Sequence, residues 1–374
     1  NLMQLKSHKY HEARTLLKES TLLYISIYFF TFFKFLSGFF VAKFLGPHLY
    51  GIRTLFGLIV DYSSFSHLGM FDAMRREVPY YRAKNDLDYA NLIQESVFGT
   101  NLILSTIVLL GAIVSSLLFY LFQFDRIYVD FSIYFAISFV IDKLSCFYRT
   151  KLTVDKRADV LSQTRILEGL TFSICCIVFT YFYSLRGLFF GLILSSLIVL
   201  IFLYSRVREI PSFKISWKVL ITLVKIGFPI MLVALMFLGM RSIDRIIIAT
   251  LLNSEMLGYF SVATIVSGLI YFSIGDVVSI VFSPRIMEKI GGSDGFSSIK
   301  PFLIEPTVLI SYVLPLLIGS IFFCVKLPII YFLPEYTPAI IVIRILCTGA
   351  FFISISIIPL FLCIAINKQI VVVV

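Results

Sequence analysis

The chain has 374 residues, of which 59% are hydrophobic and only 14% charged, and its mean hydropathy is +0.95. Soluble domains carry about 25% charged residues, so this balance excludes an ordinary soluble enzyme or binding domain and describes an integral membrane protein. The net charge of +10 lies in short segments between apolar runs, where membrane topology accounts for it better than a nucleic-acid partner.

Residues 1–20 are polar and basic (Lys6, Lys9, Arg14, Lys18) and read as an amphipathic lead-in on the membrane surface. The next run is too long for a signal-peptide core and lacks a small-x-small cleavage site, so it is an uncleaved span. Apolar runs place spans at about 21–45, 51–73, 92–123, 128–148, 166–184, 187–204, 227–252, 258–283, 302–326 and 339–366. That makes ten, with the start of an eleventh at Val371–Val374. The segment 205–225 is polar and basic, carries the lone Trp217 and joins the sixth span to the seventh. It divides the chain into an N-terminal six-helix bundle (1–209) and a C-terminal bundle (210–374) that is expected to be truncated. All six cysteines lie inside apolar runs without metal-type pairing, so they read as small packing residues.

Orientation follows from lysine and arginine. With the N-terminus inside, the segments assigned to the cytoplasm hold 22 of these residues and the external ones 5. A bias that alternates loop by loop sets the N-terminus in the cytoplasm and supports the span count, since one missed span would invert every later loop.

The seventh span, GFPIMLVALMFLGMRSIDRIIIATLL (227–252), carries Arg241, Asp244 and Arg245 at i, i+3 and i+4, all on one helical face. A basic residue at mid-bilayer costs roughly 2.5–3.5 kcal/mol, and each neighbouring Leu, Ile or Phe returns only ~0.3–0.6, so this face belongs against protein or a water-filled cavity. A shift of 207 residues overlays the first span on the seventh: Lys34 falls on Arg241, Leu45 on Leu252 and Gly51 on Gly258. A second apolar span follows each copy and ends near a proline, Pro79 or Pro284. Two related halves around one cavity is a common transporter plan.

Lys34, Arg241, Asp244 and Arg245 are therefore candidate substrate-binding residues, a cationic wall for an anionic group. The structural alternative is an ion pair in which Asp244 satisfies a neighbouring arginine. Asp61, Asp72 and Asp276 are candidate ion-coupling carboxylates. Against that reading, Asp61 pairs with a basic residue and Asp72 sits at the cytoplasmic boundary. Lys143 is expected to snorkel to the interface, and Arg344 lies at an ambiguous depth in the tenth span. In the eighth span, Ser261, Thr264, Ser267 and Tyr271 suit either sugars or helix contacts. No phosphate-binding glycine loop, HExxH motif, metal set or cofactor motif is present, which argues against an enzyme.

FLGPHLYGIRTL (44–55) and LGMFDAMRREVPYYRAK (68–84) resemble the opening of Wzx-type polysaccharide flippases, which serve O-antigen and capsule synthesis. GFPIMLV with SIDRIIIATLLNSEMLGYFSVA (within 227–263) is similar to the start of their second half, and FLPEYTPAIIVIRIL (332–346) to the start of their tenth span. The wider superfamily includes lipid II flippases and multidrug–cation antiporters. The resemblance implies an all-α fold of two pseudo-symmetric bundles around a central cavity lined by spans 1, 2, 7 and 8. It implies alternating access that turns an undecaprenyl-diphosphate-linked oligosaccharide across a bacterial or archaeal cytoplasmic membrane. The partners would be that lipid, the bilayer and other polysaccharide assembly proteins; Asp244 matches the family's aspartate in span seven. A cation antiporter would call for acidic cavity walls, and a membrane glycosyltransferase or polymerase for a substantial external domain.

Overall fold

The computed structural model describes residues 2–209, 211–277 and 300–365. Among these the backbone is helical apart from short turns, with no strand. The long helices are α1 (Leu2–Ser63), α2 (Met70–Ala83), α3 (Leu87–Leu121), α4 (Arg126–Val154), α5 (Ala158–Val207), α6 (Trp217–Leu251) and α7 (Ser254–Val277). They continue as α8 (Lys300–Cys324), the short α9 (Lys326–Phe332) and α10 (Ala339–Ala365). The chain is an all-α polytopic membrane protein.

Two of these helices each hold two expected spans. In α1 the break is Gly46 alone, at φ 71° and ψ 169°, a conformation open to glycine, and Pro47 then starts the second segment. In α5 the break is Ser184 (φ 53°, ψ −134°). Beyond it the chain folds back on itself: a Cβ on Gly187 would sit 1.8 Å from the Phe179 carbonyl oxygen, and one on Gly191 2.7 Å from that of Cys175. The antiparallel segments touch backbone to backbone, as small residues permit in lipid.

The second span does not run unbroken to residue 73. Its helix stops at Ser63, passes through a 3-10 turn (Ser64–His67) and restarts as α2 after Leu68 (φ 49°) and Gly69 (φ 81°). The Gly69 N–H donates to His67 Nδ1 at 3.0 Å, and Lys143 Nζ donates to the Ser64 carbonyl at 2.6 Å. Lys143 is buried, with its ammonium 5.0 Å from the Phe139 ring centroid, so the expected snorkelling gives way to capping of a broken helix. Lys143→Met should therefore destabilise the protein by about 1.5–3 kcal/mol, read as a lower thermal midpoint in detergent. An unchanged midpoint would show that the turn holds itself.

Contacts divide the chain into two compact units, Asn1–Leu45 with Arg53–Thr250 and Gly46–Ile52 with Leu251–Val374. In the first, Met70, Phe71, Met74, Ile93, Phe147, Leu152, Leu203 and Leu223 form one buried core from α2 to α6. Gly69 meets Gly227 there so closely that a Cβ on Gly227 would lie 1.9 Å from the Gly69 oxygen. In the second, α10 packs on α7 and α8. Tyr336, from the 3-10 turn Pro334–Tyr336, meets Tyr50 and Tyr259 edge to face at centroid distances of 6.4 and 6.1 Å. Burial, with Tyr50, Glu335 and Tyr259 around it, pushes the Tyr336 phenol well above its ordinary range. Arg344 Nε donates to the Phe322 carbonyl at 3.1 Å, with the guanidinium over the Phe322 ring. Residues 278–299, with Pro284, lie outside the described residues.

Candidate functional site

Four helical segments of the first unit carry the site. Arg53, Gly57 and Asp61 follow one another at i, i+4 and i+8 along the second half of α1, so they share a face. The first half of α1 brings Lys34. It is tied to α5 by Ser173 Oγ, which donates to the Phe33 carbonyl at 2.6 Å, and by Gly169, where a Cβ would lie 3.1 Å from Phe30 Cα. The second half of α1 is tied to α6 through Tyr62 and the buried Ser242, 2.7 Å apart. Ser242 spends its own proton on the Leu238 carbonyl at 2.8 Å, so the tyrosine hydroxyl is the donor. Arg245 lies one turn along α6 from Ser242, and its charge acts on Asp61.

The charges act on one another. Asp61 feels Lys34, Arg53 and Arg245; Lys34 feels Arg53, Asp61, Glu168 and Arg165. Lys34 and Asp61 are both exposed. A Cβ on Gly57, between Arg53 and Asp61, would meet nothing within 4 Å. Three cations thus act on one carboxylate beside open space at Gly57. At an effective dielectric of ~20, a unit-charge pair 4 Å apart is worth about 4 kcal/mol, so such a cluster can offset much of the desolvation of a phosphate group.

The profile of a family described as polysaccharide biosynthesis protein matches residues 40–333. The chain belongs to this family. Among solved structures, an inward-facing multidrug resistance MATE family transporter of the MOP superfamily is similar at 14% identity and a TM-score of 0.66, over 91% of this chain and 84% of that one. A MOP superfamily transporter from Pyrococcus furiosus, described as having a binding pocket of reverse polarity, is similar at 15% identity and a TM-score of 0.54, over 95% and 85%. A MATE structure in the bent conformation is similar at 14% identity and a TM-score of 0.55, over 94% and 82%. These likenesses show the MATE-like transporter fold. No curated protein matches the chain.

In this polysaccharide biosynthesis protein the seventh-span charge that acts on Asp61 is Arg245, one turn beyond the Arg241 that the repeat pairs with Lys34. Arg241 is exposed, and Asp244 Oδ1 accepts from the Arg245 backbone N–H at 2.7 Å. Asp72 pairs with Arg75 at 3.2 Å on α2, away from the Lys34 group. Asp276 belongs to α7, but its side chain is outside the described residues. Arg53, Arg165 and Glu168 were missed as site residues. Arg53 lies at the outer end of the second expected span, where a basic residue reads as an interface charge. Its spacing of eight from Asp61 was the available signal.

Proposed function

We propose that the chain is a flippase that carries an undecaprenyl-diphosphate-linked oligosaccharide across the cytoplasmic membrane, for the synthesis of a surface polysaccharide such as O-antigen or capsule. The observation that carries this reading is the excess of Lys34, Arg53 and Arg245 over Asp61 beside open space at Gly57; read as a cationic recess, it suits an anionic headgroup and disfavours a cationic drug. The family supports a place in polysaccharide biosynthesis and the fold supports transport. No covalent chemistry is assigned to the protein. The halves 1–209 and 210–374 are the candidate pseudo-symmetric bodies of an alternating-access cycle, with the N-terminus in the cytoplasm, Arg241 extending the cationic wall and Asp244 a further candidate substrate-binding residue beside it. Asp61, Asp72 and Asp276 are the candidate coupling carboxylates, of which Asp61 adjoins the cations.

Charge substitutions in span seven test the wall, read as surface glycan restored to a strain lacking the protein, with its abundance checked in the same membranes. Arg241→Lys should keep part of the activity, since a point charge still attracts phosphate, and Arg241→Glu should abolish it. Adding Asp244→Arg to Arg241→Glu moves the cation by about one turn, ~5 Å, and should rescue poorly. Full rescue would reduce the pair to structure. Orientation has its own check: in a cysteine-free background, a cysteine at Asn253 should react with an impermeant thiol reagent from outside, and one at Asp155 only after permeabilisation. The opposite pattern would overturn the assignment.

A further inference from the structure

Arg165 and Glu168, which act on Lys34, belong to a second cationic group with Arg149. Arg149 and Arg165 share one carboxylate oxygen, Glu168 Oε2, at 3.1 and 3.4 Å. Two guanidiniums offer ten N–H donors to a single carboxylate. Arg149 Nε is buried with no hydrogen-bond partner among the described residues, and the Arg165 side chain is 42% exposed. The pair is under-satisfied for a purely structural ion pair, since a buried donor without an acceptor carries its full desolvation cost.

The group is also joined to Lys34. The Arg165 guanidinium lies 5.5 Å from the centroid of the Phe30 ring and Lys34 Nζ lies 5.7 Å from it, so one ring serves two cations. Phe30 precedes Lys34 by one turn, toward the N-terminal end of α1. Arg149 and Arg165 stand six and eight residues from the turn joining α4 to α5, about 9 and 12 Å along their helices. In the proposed orientation that end is cytoplasmic. The flanking carboxylate, Asp142, feels Lys143 as well as Arg149 and Glu168, so it does not cancel the excess of positive charge.

We propose that Arg149, Arg165 and Glu168, bridged to Lys34 by Phe30, form a loading site for the diphosphate of a polyprenyl-linked substrate. The inference rests on the flippase reading. Glu168 occupies the two guanidiniums until the diphosphate takes its place, and the anion then moves one turn along Phe30 to Lys34. Bidentate arginine geometry suits capture of the phosphate, and the lysine suits passing it on.

The test uses the full chain in lipid nanodiscs, titrated with farnesyl diphosphate, inorganic pyrophosphate and farnesol. Farnesyl diphosphate should bind best, Arg149→Gln or Arg165→Gln should each weaken it roughly tenfold, and Arg165→Lys should recover most of the loss. Glu168→Gln should tighten binding severalfold, a gain that a merely structural ion pair would not give, while Lys34→Met should still bind and fail to transport. If both Gln variants bind as the parent does while Lys34→Met does not bind, or if Glu168→Gln weakens binding, the loading site is overturned and the flippase reading stands. Equal affinity for pyrophosphate would overturn a lipid-headgroup site in favour of free phosphate. Farnesol binding as well as its diphosphate would sink the cationic-recess reading itself.

Discussion

Gly51→Leu and Gly258→Leu are each expected to leave little folded protein in the membrane. A Cβ on Gly51 would lie 1.6 Å from the Ser254 carbonyl oxygen, and one on Gly258 would lie 2.0 Å from that of Pro47. Both obstacles are backbone, so neither can swing aside. The contact is reciprocal: Ser254 answers Pro47 and Gly258 answers Gly51 under the same shift of 207 residues. The repeat is thus a physical crossing of two related segments, with glycine at the point of closest approach in each. Alanine at either position should already cost about 1–3 kcal/mol through overpacking. The double alanine variant should cost less than the sum, because both changes open the same crossing. Membrane abundance and thermal midpoint in detergent read the effect. Normal accumulation of either leucine variant would show that the crossing can move apart freely.

The second large effect should leave the fold intact. Gly57→Trp projects a ring into the space between Arg53 and Asp61, where a Cβ meets nothing within 4 Å. The variant should reach the membrane at parental levels and restore at most a few per cent of the surface glycan. Lys34→Glu should match it, since reversing one of three cations turns attraction for a phosphate into repulsion, whereas Lys34→Arg should retain activity. Normal activity of Gly57→Trp would place the substrate path elsewhere.

Hydropathy made the helical, membrane-spanning character of the chain legible, and the repeat aligned Gly51 with Gly258, but that these two segments meet backbone to backbone is visible only in the fold. Local irregularity was harder to see. The interruption at 64–69 lies within an apolar run, and only Ser63, Ser64, Ser66 and Gly69 hinted at it. Its stabiliser, Lys143, is 79 positions away in the chain, a separation that periodicity cannot bridge. The candidate site was half legible: Lys34, Asp61 and Arg245 stood out as charges in apolar surroundings. Arg165 and Glu168 did not, because they border a basic segment and look like ordinary interface residues. Their role beside Lys34 depends on how α5 packs on α1 at Gly169 and Phe30, which is a tertiary fact.

The most direct test of the central claim is transbilayer movement in vesicles containing the purified protein. The substrate is a fluorescent oligosaccharide on a short polyprenyl diphosphate, and the same sugar on an uncharged polyprenyl stem is the control. The diphosphate form should cross at least tenfold faster than in protein-free vesicles, the uncharged form at the protein-free rate, and Lys34→Met should remove the difference. Movement of neither lipid, together with uptake of an organic cation, would contradict a cationic recess built for an anionic lipid-linked sugar.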